Sequence, residues 1–106
     1  MVIMILEKVP PALKGDLTRW LMEVRSGVYI GHVSALVRDK LWERCSQNKG
    51  AGSVFQAWST NNEQRFQMRL SGSKTRRVVD WEGLQLIQTI KDELEPVQKR
   101  RIRSNR

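Results

Sequence analysis

Three groups of lysines and arginines are the residues of this sequence whose types and spacing most clearly suggest chemistry. Lys14 lies near the start of the first predicted helix, with Lys8 shortly before it, and Lys74, Arg76 and Arg77 crowd a single segment. The third group is the stretch 97–106, which holds five basic residues and no acidic one. Such groups bind phosphate through charge and carry little information about base sequence. Lys14, Lys74, Arg76 and Arg77 are therefore candidate contacts to a nucleic acid.

The charge of the whole chain supports this interpretation. Its 106 residues include 19 Lys+Arg and 11 Asp+Glu, a net charge of +8. Because five of the 19 basic residues lie in 97–106, residues 1–96 hold 14 basic and 11 acidic residues, a net charge of +3. A basic run of this kind is usually a solvated end that can meet a polyanion. The partner favoured by charge is a nucleic acid.

Few residues suggest catalysis. Glu7 ends the first predicted strand, and a carboxylate there could hold Mg²⁺ and assist phosphodiester cleavage. Such sites use several carboxylates, so the second one would have to come from Glu7 of another subunit; otherwise Glu7 is structural. His32 is the one histidine, and it could act as an acid or base near neutral pH. No Cys, Ser or second His accompanies it in a recognisable arrangement.

The elements that position these residues follow from the apolar patterns. Strands are predicted at 2–6, 28–30, 54–59 and 65–70, and helices at 13–24 and 35–47. The segment 84–90 fits either a strand or a short helix, and a strand is favoured. The continuous apolar run at 2–6 predicts a central strand. Alternation at 65–70 predicts a buried face with Phe66, Met68 and Leu70, and a solvent face that includes Arg69. We expect Trp20, Trp42 and Trp58 to pack in or beside the core, and Cys45 to be a core thiol.

The order of these elements predicts one ferredoxin-like α+β sandwich, with two helices on one face of an antiparallel sheet. The domain spans 1–95, and 96–106 is a basic C-terminal tail. The last strand is extra to this fold and is expected to pair with a sheet edge of its own chain or of a partner. Trp81 is a candidate interface anchor. The candidate interface residues are Trp81, Leu84, Leu86, Ile87 and Ile90.

Composition excludes several classes of protein. A single cysteine, Cys45, cannot form an intrachain disulfide, which fits a reducing compartment. The apolar start, residues 1–6, is too short for a signal peptide and lacks a basic segment before it. No stretch approaches the roughly 20 apolar residues of a membrane helix. We therefore expect a cytoplasmic protein with no membrane contact.

Several stretches resemble one family. They are Glu-Lys-Val-Pro-Pro-Ala-Leu-Lys-Gly (7–15), Trp-Leu-Met-Glu-Val-Arg-Ser-Gly-Val-Tyr-Ile-Gly (20–31), Val-Ser (33–34), Ala-Trp-Ser-Thr-Asn (57–61) and Val-Asp-Trp-Glu-Gly-Leu (79–84). Together they resemble the small CRISPR-associated spacer-acquisition protein of the type I-E branch. This family is the non-integrase partner of the CRISPR integrase and is often described as an endoribonuclease. The resemblance covers about residues 1–90.

The resemblance implies a ferredoxin-like homodimer, joined through sheet edges, that bridges two integrase dimers. The assembly captures a duplex, the protospacer, and inserts it beside a repeat of a CRISPR array. In this family, two pairs of basic residues contact DNA. The matching positions in this chain are Ala12 and Lys14 for the first pair and Thr75 and Arg76 for the second, so each pair keeps one basic residue. Many relatives have aspartates where this chain has Glu7 and His32, which weakens the prediction of a metal site.

Three hypotheses follow for the function. The first is a non-catalytic dimeric scaffold that holds duplex DNA on Lys14, Lys74, Arg76 and Arg77 and needs no cofactor. The alternative is a Mg²⁺-dependent endonuclease, acting on RNA or duplex DNA, with Glu7 as the catalytic and metal-binding residue at the dimer interface. The third is a generic RNA-binding domain that prefers single strands, for which Trp58 is the candidate stacking residue.

Overall fold

The computed structural model describes residues 1–90, which form two helices and seven strands. The strands are β1 (Val2–Leu6), β2 (Met22–Arg25), β3 (Val28–Gly31), β4 (Val54–Ser59), β5 (Phe66–Ser71), β6 (Arg76–Trp81) and β7 (Leu84–Thr89). The helices are α1 (Pro11–Trp20) and α2 (Ala35–Ser46), and a 3₁₀ turn (Lys49–Ala51) precedes β4. The strands predicted from sequence and the helix predicted at 35–47 are confirmed to within one or two residues.

Five strands form one antiparallel sheet in the order β2-β3-β1-β4-β5. β1 lies in the centre between β3 and β4, as its continuous apolar run predicts. Each helix follows a strand of this sheet, and both helices pack on the same face of it. The order and the antiparallel pairing confirm the ferredoxin-like α+β fold. β5 extends that sheet by one strand beyond β4.

The core lies between the sheet and the two helices. Its fully buried residues include Met4 of β1, Tyr29 of β3 and Leu17 of α1, each with no exposed surface. Cys45 of α2 is 1% exposed, which confirms the predicted core thiol. Burial raises the pKa of that thiol to about 11, so it stays protonated and unreactive at neutral pH. α2 begins at its predicted cap, because the Ser34 hydroxyl accepts a hydrogen bond from a backbone N–H of the first turn.

The first helix is shorter than its apolar spacing predicted. α1 ends at Trp20, and the backbone of Leu21 is extended, with φ −127° and ψ 161°. The four residues of β2 then pair with β3 through a tight turn in which Gly27 has φ 81°. Sheet pairing therefore overrides the helical pattern that ran through Val24. The prediction that Trp20 is a core residue is wrong: the side chain is half exposed because the chain turns away at that point.

Arg76 and Arg77 of the second basic group lie in a strand, β6, which the sequence prediction missed. β6 pairs with β7 in a separate two-stranded sheet, so the extra C-terminal strand pairs within its own chain. Glu82 and Gly83 join the two strands with φ values of 51° and 88°. Positive φ at both positions defines a type I′ hairpin turn. The Asp80 carboxylate accepts a hydrogen bond of 2.9 Å from the Gly83 N–H and closes the turn.

Two glutamines join the β6–β7 hairpin, called the second hairpin below, to β5 and to the turn that precedes β5. The Gln64 amide donates to the Gln85 carbonyl at 2.7 Å, and the Gln85 N–H donates to Gln64 Oε1 at 2.8 Å. Gln85 Oε1 also accepts a hydrogen bond from the Met68 N–H at 2.7 Å. Satisfied backbone groups on both segments fix the position of the hairpin beside the main sheet.

The two faces of β5 differ from the sequence prediction. Phe66, Met68 and Leu70 lie opposite β4 residues that face away from the helices, so they do not enter the helix-covered core. Met68 is 8% exposed, but Phe66 is 39% exposed. Arg69, which was predicted to face solvent, pairs with buried Gln56 and lies beneath α2. The alternation is present, but the helices cover its polar side.

Residues 91–106 lie outside the described residues. The predicted domain boundary at 95/96 and the basic tail are therefore not tested, and Ile90 is the last candidate interface residue that the structure includes. Within 1–90, neither helix combines the length and the apolar character needed to cross a bilayer.

Candidate nucleic-acid interface

Three segments meet at one end of the main sheet and form an open groove. β1 ends there, β4 begins there and β5 ends there, because neighbouring antiparallel strands run in opposite directions. The loops that continue these strands carry Glu7, the 52–53 pair and the 72–76 segment. They line a cavity of about 510 Å³. The lining residues are Glu7, Gly52, Ser53, Gly72, Ser73, Lys74, Thr75 and Arg76.

Glu7 is fixed on one wall of this groove. Its Oε1 accepts a hydrogen bond of 3.0 Å from the Ser53 N–H, and its own N–H donates to the Ser53 carbonyl at 2.9 Å. Gly52 has φ 70°, and a Cβ at that position would collide with the Glu7 carboxylate. Glycine is therefore required both for the backbone conformation and for the close approach of Glu7. The side chain remains exposed to the groove.

The opposite wall of the groove is the 72–76 segment, which carries Lys74 and Arg76 and contains a turn stabilised by Ser73. Ser73 Oγ accepts hydrogen bonds from the N–H groups of Thr75, at 3.3 Å, and of Arg76, at 3.1 Å. These bonds set the direction in which the chain enters β6. Lys74 and Arg76 are exposed beside the cavity. The structure thus brings two of the sequence-predicted DNA contacts together with Glu7.

Two other predicted contacts lie outside the groove lining. Arg77 alternates with Arg76 along β6 and lies on the opposite face of the hairpin, where its Nε donates to Gln88 Oε1 at 2.7 Å. Lys14 lies in α1, and its ammonium is 3.6 Å from a carboxylate oxygen of Glu23. Neither residue contributes to the cavity, so each would meet a ligand as a separate surface charge.

The groove provides one carboxylate as a metal ligand. Among residues 1–90, no three His, Cys, Asp or Glu side chains are grouped so that they could hold a metal ion. His32 cannot assist Glu7, because it follows the residue of β3 that pairs with Val2 at the other end of β1. A five-residue strand separates the two by more than about 13 Å. A Mg²⁺ site at Glu7 would therefore need further ligands from a second molecule, from nucleic acid or from water.

The second hairpin exposes most of the predicted interface residues. Trp81 is 63% exposed, and the others are 38% to 44% exposed. The cross-strand register puts Trp81, Leu84 and Leu86 on one face and Ile87 on the other. Such a surface on a small hairpin is unusual without a partner.

The main sheet also has an apolar face on the side away from the two helices. Ile3, Ile5, Phe55 and Leu70 share that face by register, and Phe66 lies at its edge. Ile5 is 42% exposed and Phe66 is 39% exposed. A solvated face of an antiparallel sheet normally carries polar side chains. This one is typical of an interface with another protein.

Sequence reasoning missed a cluster of arginines and tryptophans beneath α2. The Arg38 guanidinium lies 4.3 Å from the ring centroid of Trp58, and that of Arg69 lies 4.8 Å from Trp58 and 4.9 Å from Trp42. Trp42 and Trp58 are therefore packed, as predicted, and Trp58 is not free to stack on a base. Hydrogen bonds from both arginines hold the pKa of Asp39 below its ordinary value. The available signal was Gln56, a polar residue in the middle of a mainly apolar strand.

The chain matches a known protein family. A family model described as CRISPR-associated protein (Cas_Cas2CT1978) matches residues 1–86. The match includes the whole main sheet, the groove and most of the second hairpin. It ends within β7 and does not extend to the basic stretch 97–106.

Proposed function

The chain belongs to this CRISPR-associated protein family, and we propose that it is a dimeric DNA-binding scaffold for spacer integration, of the type I-E branch. In this role it holds the protospacer duplex and bridges two integrase dimers beside a CRISPR repeat. The observation that carries the proposal is the exposed pair of charges, Lys74 and Arg76, on a shaped groove. Since the complex would act on chromosomal DNA, the proposal includes a cytoplasmic location.

The uncovered apolar surfaces support two protein partners. The open face of the main sheet, with Ile3, Ile5 and Phe55, is suited to a second copy of the chain, because apolar burial is the main driving force for association. The face of the second hairpin that carries Trp81, Leu84 and Leu86 is separate from it and is suited to the integrase. Dimerisation would double the groove charges and Lys14, so one duplex could contact both subunits.

Duplex binding is tested by comparing two variants of equal charge. Lys74→Ala with Arg76→Ala removes two groove charges, and Arg19→Ala with Lys40→Ala removes two exposed helix charges. The affinity for a labelled DNA duplex is measured by fluorescence anisotropy at several salt concentrations. We expect the groove variant to lower the logarithmic salt slope by about 0.9 for each phosphate that the protein no longer neutralises. If binding weakens equally in both variants, the duplex does not bind preferentially at the groove and the proposal is refuted.

Integrase bridging is tested by co-purification with the integrase, with and without a duplex. Trp81→Ala should reduce recovery of the integrase, because it removes an exposed aromatic anchor. Glu82→Gln, at the adjacent exposed position, is the matched control. Unchanged recovery with the Trp81 variant would contradict docking on this hairpin.

The alternative proposal is a Mg²⁺-dependent endonuclease, and the observation that favours it is the position of Glu7 beside two basic residues. It predicts cleavage of RNA or duplex DNA that stops with a chelator and with Glu7→Gln. The scaffold proposal predicts that Glu7→Gln preserves spacer acquisition. Loss of acquisition by a folded Glu7→Gln variant that still binds the duplex would decide for the enzyme.

A further inference from the structure

Lys14, the predicted DNA contact on α1, is held by a carboxylate that is itself anchored to the core. Glu23 in β2 lies directly across from Tyr29 in β3. The Tyr29 hydroxyl donates a hydrogen bond of 2.8 Å to Glu23 Oε2. The other oxygen, Oε1, lies 3.6 Å from the Lys14 ammonium. The two oxygens of one carboxylate therefore join a buried ring to a surface charge.

The three side chains differ in how freely they can move. Tyr29 has no exposed surface, Glu23 has 23% of its side chain exposed, and Lys14 has 58% exposed. Burial and the hydrogen bond to Glu23 raise the pKa of Tyr29 to about 12, so the phenol remains a donor. The same hydrogen bond holds the pKa of Glu23 below its ordinary value, so the carboxylate stays ionised. The negative charge is fixed in place, while the lysine can turn away from it.

We propose that Glu23, positioned by Tyr29, competes with a nucleic-acid phosphate for Lys14 and so sets the affinity and salt dependence of duplex binding. The inference rests on the proposed DNA-binding function and concerns the regulation of that site. A phosphate that pairs with Lys14 must replace the contact with Glu23 and approach a fixed negative charge.

A weak pair is suited to this competition. Exposed ion pairs are easily displaced because water and salt screen them. For this reason we expect Glu23→Gln to tighten duplex binding about two- to fivefold, with a salt slope steeper by up to about 0.9 for each additional phosphate neutralised. The amide keeps the size of the side chain but removes the competing charge.

The closing experiment uses the full chain and a labelled DNA duplex, with anisotropy measured over a range of salt. Glu63→Gln, in the exposed turn between β4 and β5, has the same change in net charge and is the control. We expect Glu23→Gln to bind more tightly than this control, and Lys14→Ala to abolish the difference. Tyr29→Phe, which leaves the net charge unchanged, should also tighten binding because it frees the carboxylate.

The outcomes separate the inference from the function on which it rests. If the unaltered protein and Glu23→Gln both fail to bind the duplex, the DNA-binding function and the inference fail together. If the unaltered protein binds and the Glu23 and Glu63 variants behave alike, the inference alone is refuted. Equal tightening by Glu23→Gln with and without Lys14 would also overturn it.

Discussion

Replacing Arg69 by methionine removes the group that satisfies a fully buried amide. Gln56 has no exposed surface, and its Oε1 accepts a hydrogen bond of 2.9 Å from Arg69 Nε. Its Nε2 donates to the Arg38 carbonyl at 3.0 Å. Methionine keeps most of the arginine stem but leaves Oε1 of the buried amide without a donor.

The cost of Arg69→Met follows from three interactions. A buried acceptor left without a donor costs about 1–3 kcal/mol. The guanidinium also lies on Trp42 and Trp58, and each cation–π contact at a partly exposed site is worth about 0.5–1 kcal/mol. The ion pair with Asp39 adds little, because that carboxylate is 54% exposed. We expect the free energy of unfolding to fall by about 3 kcal/mol.

The double variant isolates the buried hydrogen bond. Gln56→Met with Arg69→Met replaces both partners by apolar groups, so no acceptor is left unsatisfied by the loss of Arg69. Its cost should be smaller than the summed single costs by about 1–3 kcal/mol. The measurement is urea denaturation followed by far-ultraviolet circular dichroism, at one fixed protein concentration because association would shift the midpoint.

Arg19→Met is the control for loss of an exposed arginine, with an expected change of about 0.5 kcal/mol or less. If the loss of unfolding free energy in the double variant equals the sum of the losses in the two single variants, the Gln56–Arg69 contact does not stabilise the fold. An Arg69→Met variant as stable as the control would show that neither this contact nor the tryptophan stacking does.

Three further predictions concern other parts of the fold. Glu82→Asn should raise the free energy of unfolding by about 0.5–1 kcal/mol, since asparagine tolerates the positive φ of a type I′ turn better, and an equal or lower urea midpoint would contradict this. Tyr29 is the only tyrosine, so ultraviolet absorbance should show a single phenol ionisation near pH 12. Because the pKa is higher in the folded protein, the contribution of Tyr29 to the stability of the fold is complete below pH 10 and is lost between about pH 10 and 12. An ionisation near pH 10 in the folded protein would exclude the buried hydrogen bond. Leu86→Gln should weaken integrase binding without unfolding the chain, and unchanged co-purification with the integrase would argue against the hairpin interface.

Local patterns predicted the elements whose polar and apolar residues agree with their final surroundings. The run at 2–6 is apolar throughout and became the central strand, and Ser34 capped the helix that it was predicted to cap. The first helix was predicted too long because Val24 continues a helical spacing. Pairing of β2 with β3 decided that segment, and pairing is not visible in local spacing.

In the candidate site, too, some features were predicted from the sequence and others depend on the tertiary structure. Lys74 and Arg76 were predicted as phosphate contacts from charge alone, and the structure locates them on a groove. That Glu7 lies in the same groove depends on the closeness of three loops that are far apart in the sequence. Arg77 was grouped with its neighbours, but the alternation of a strand that the prediction missed turns it to the other face.

By itself, the sequence determined the composition of the charged groups and the class of the fold, because these depend on residue types and short-range periodicity. The family was indicated by the resemblance of several short stretches. The tertiary structure alone decided which charges are free and which are held. Lys14 is paired with Glu23, Arg69 lies on two tryptophans, and Lys74 remains exposed. The physical reason is that a charge acts through its neighbours in space, and in this fold those neighbours come from other strands and helices.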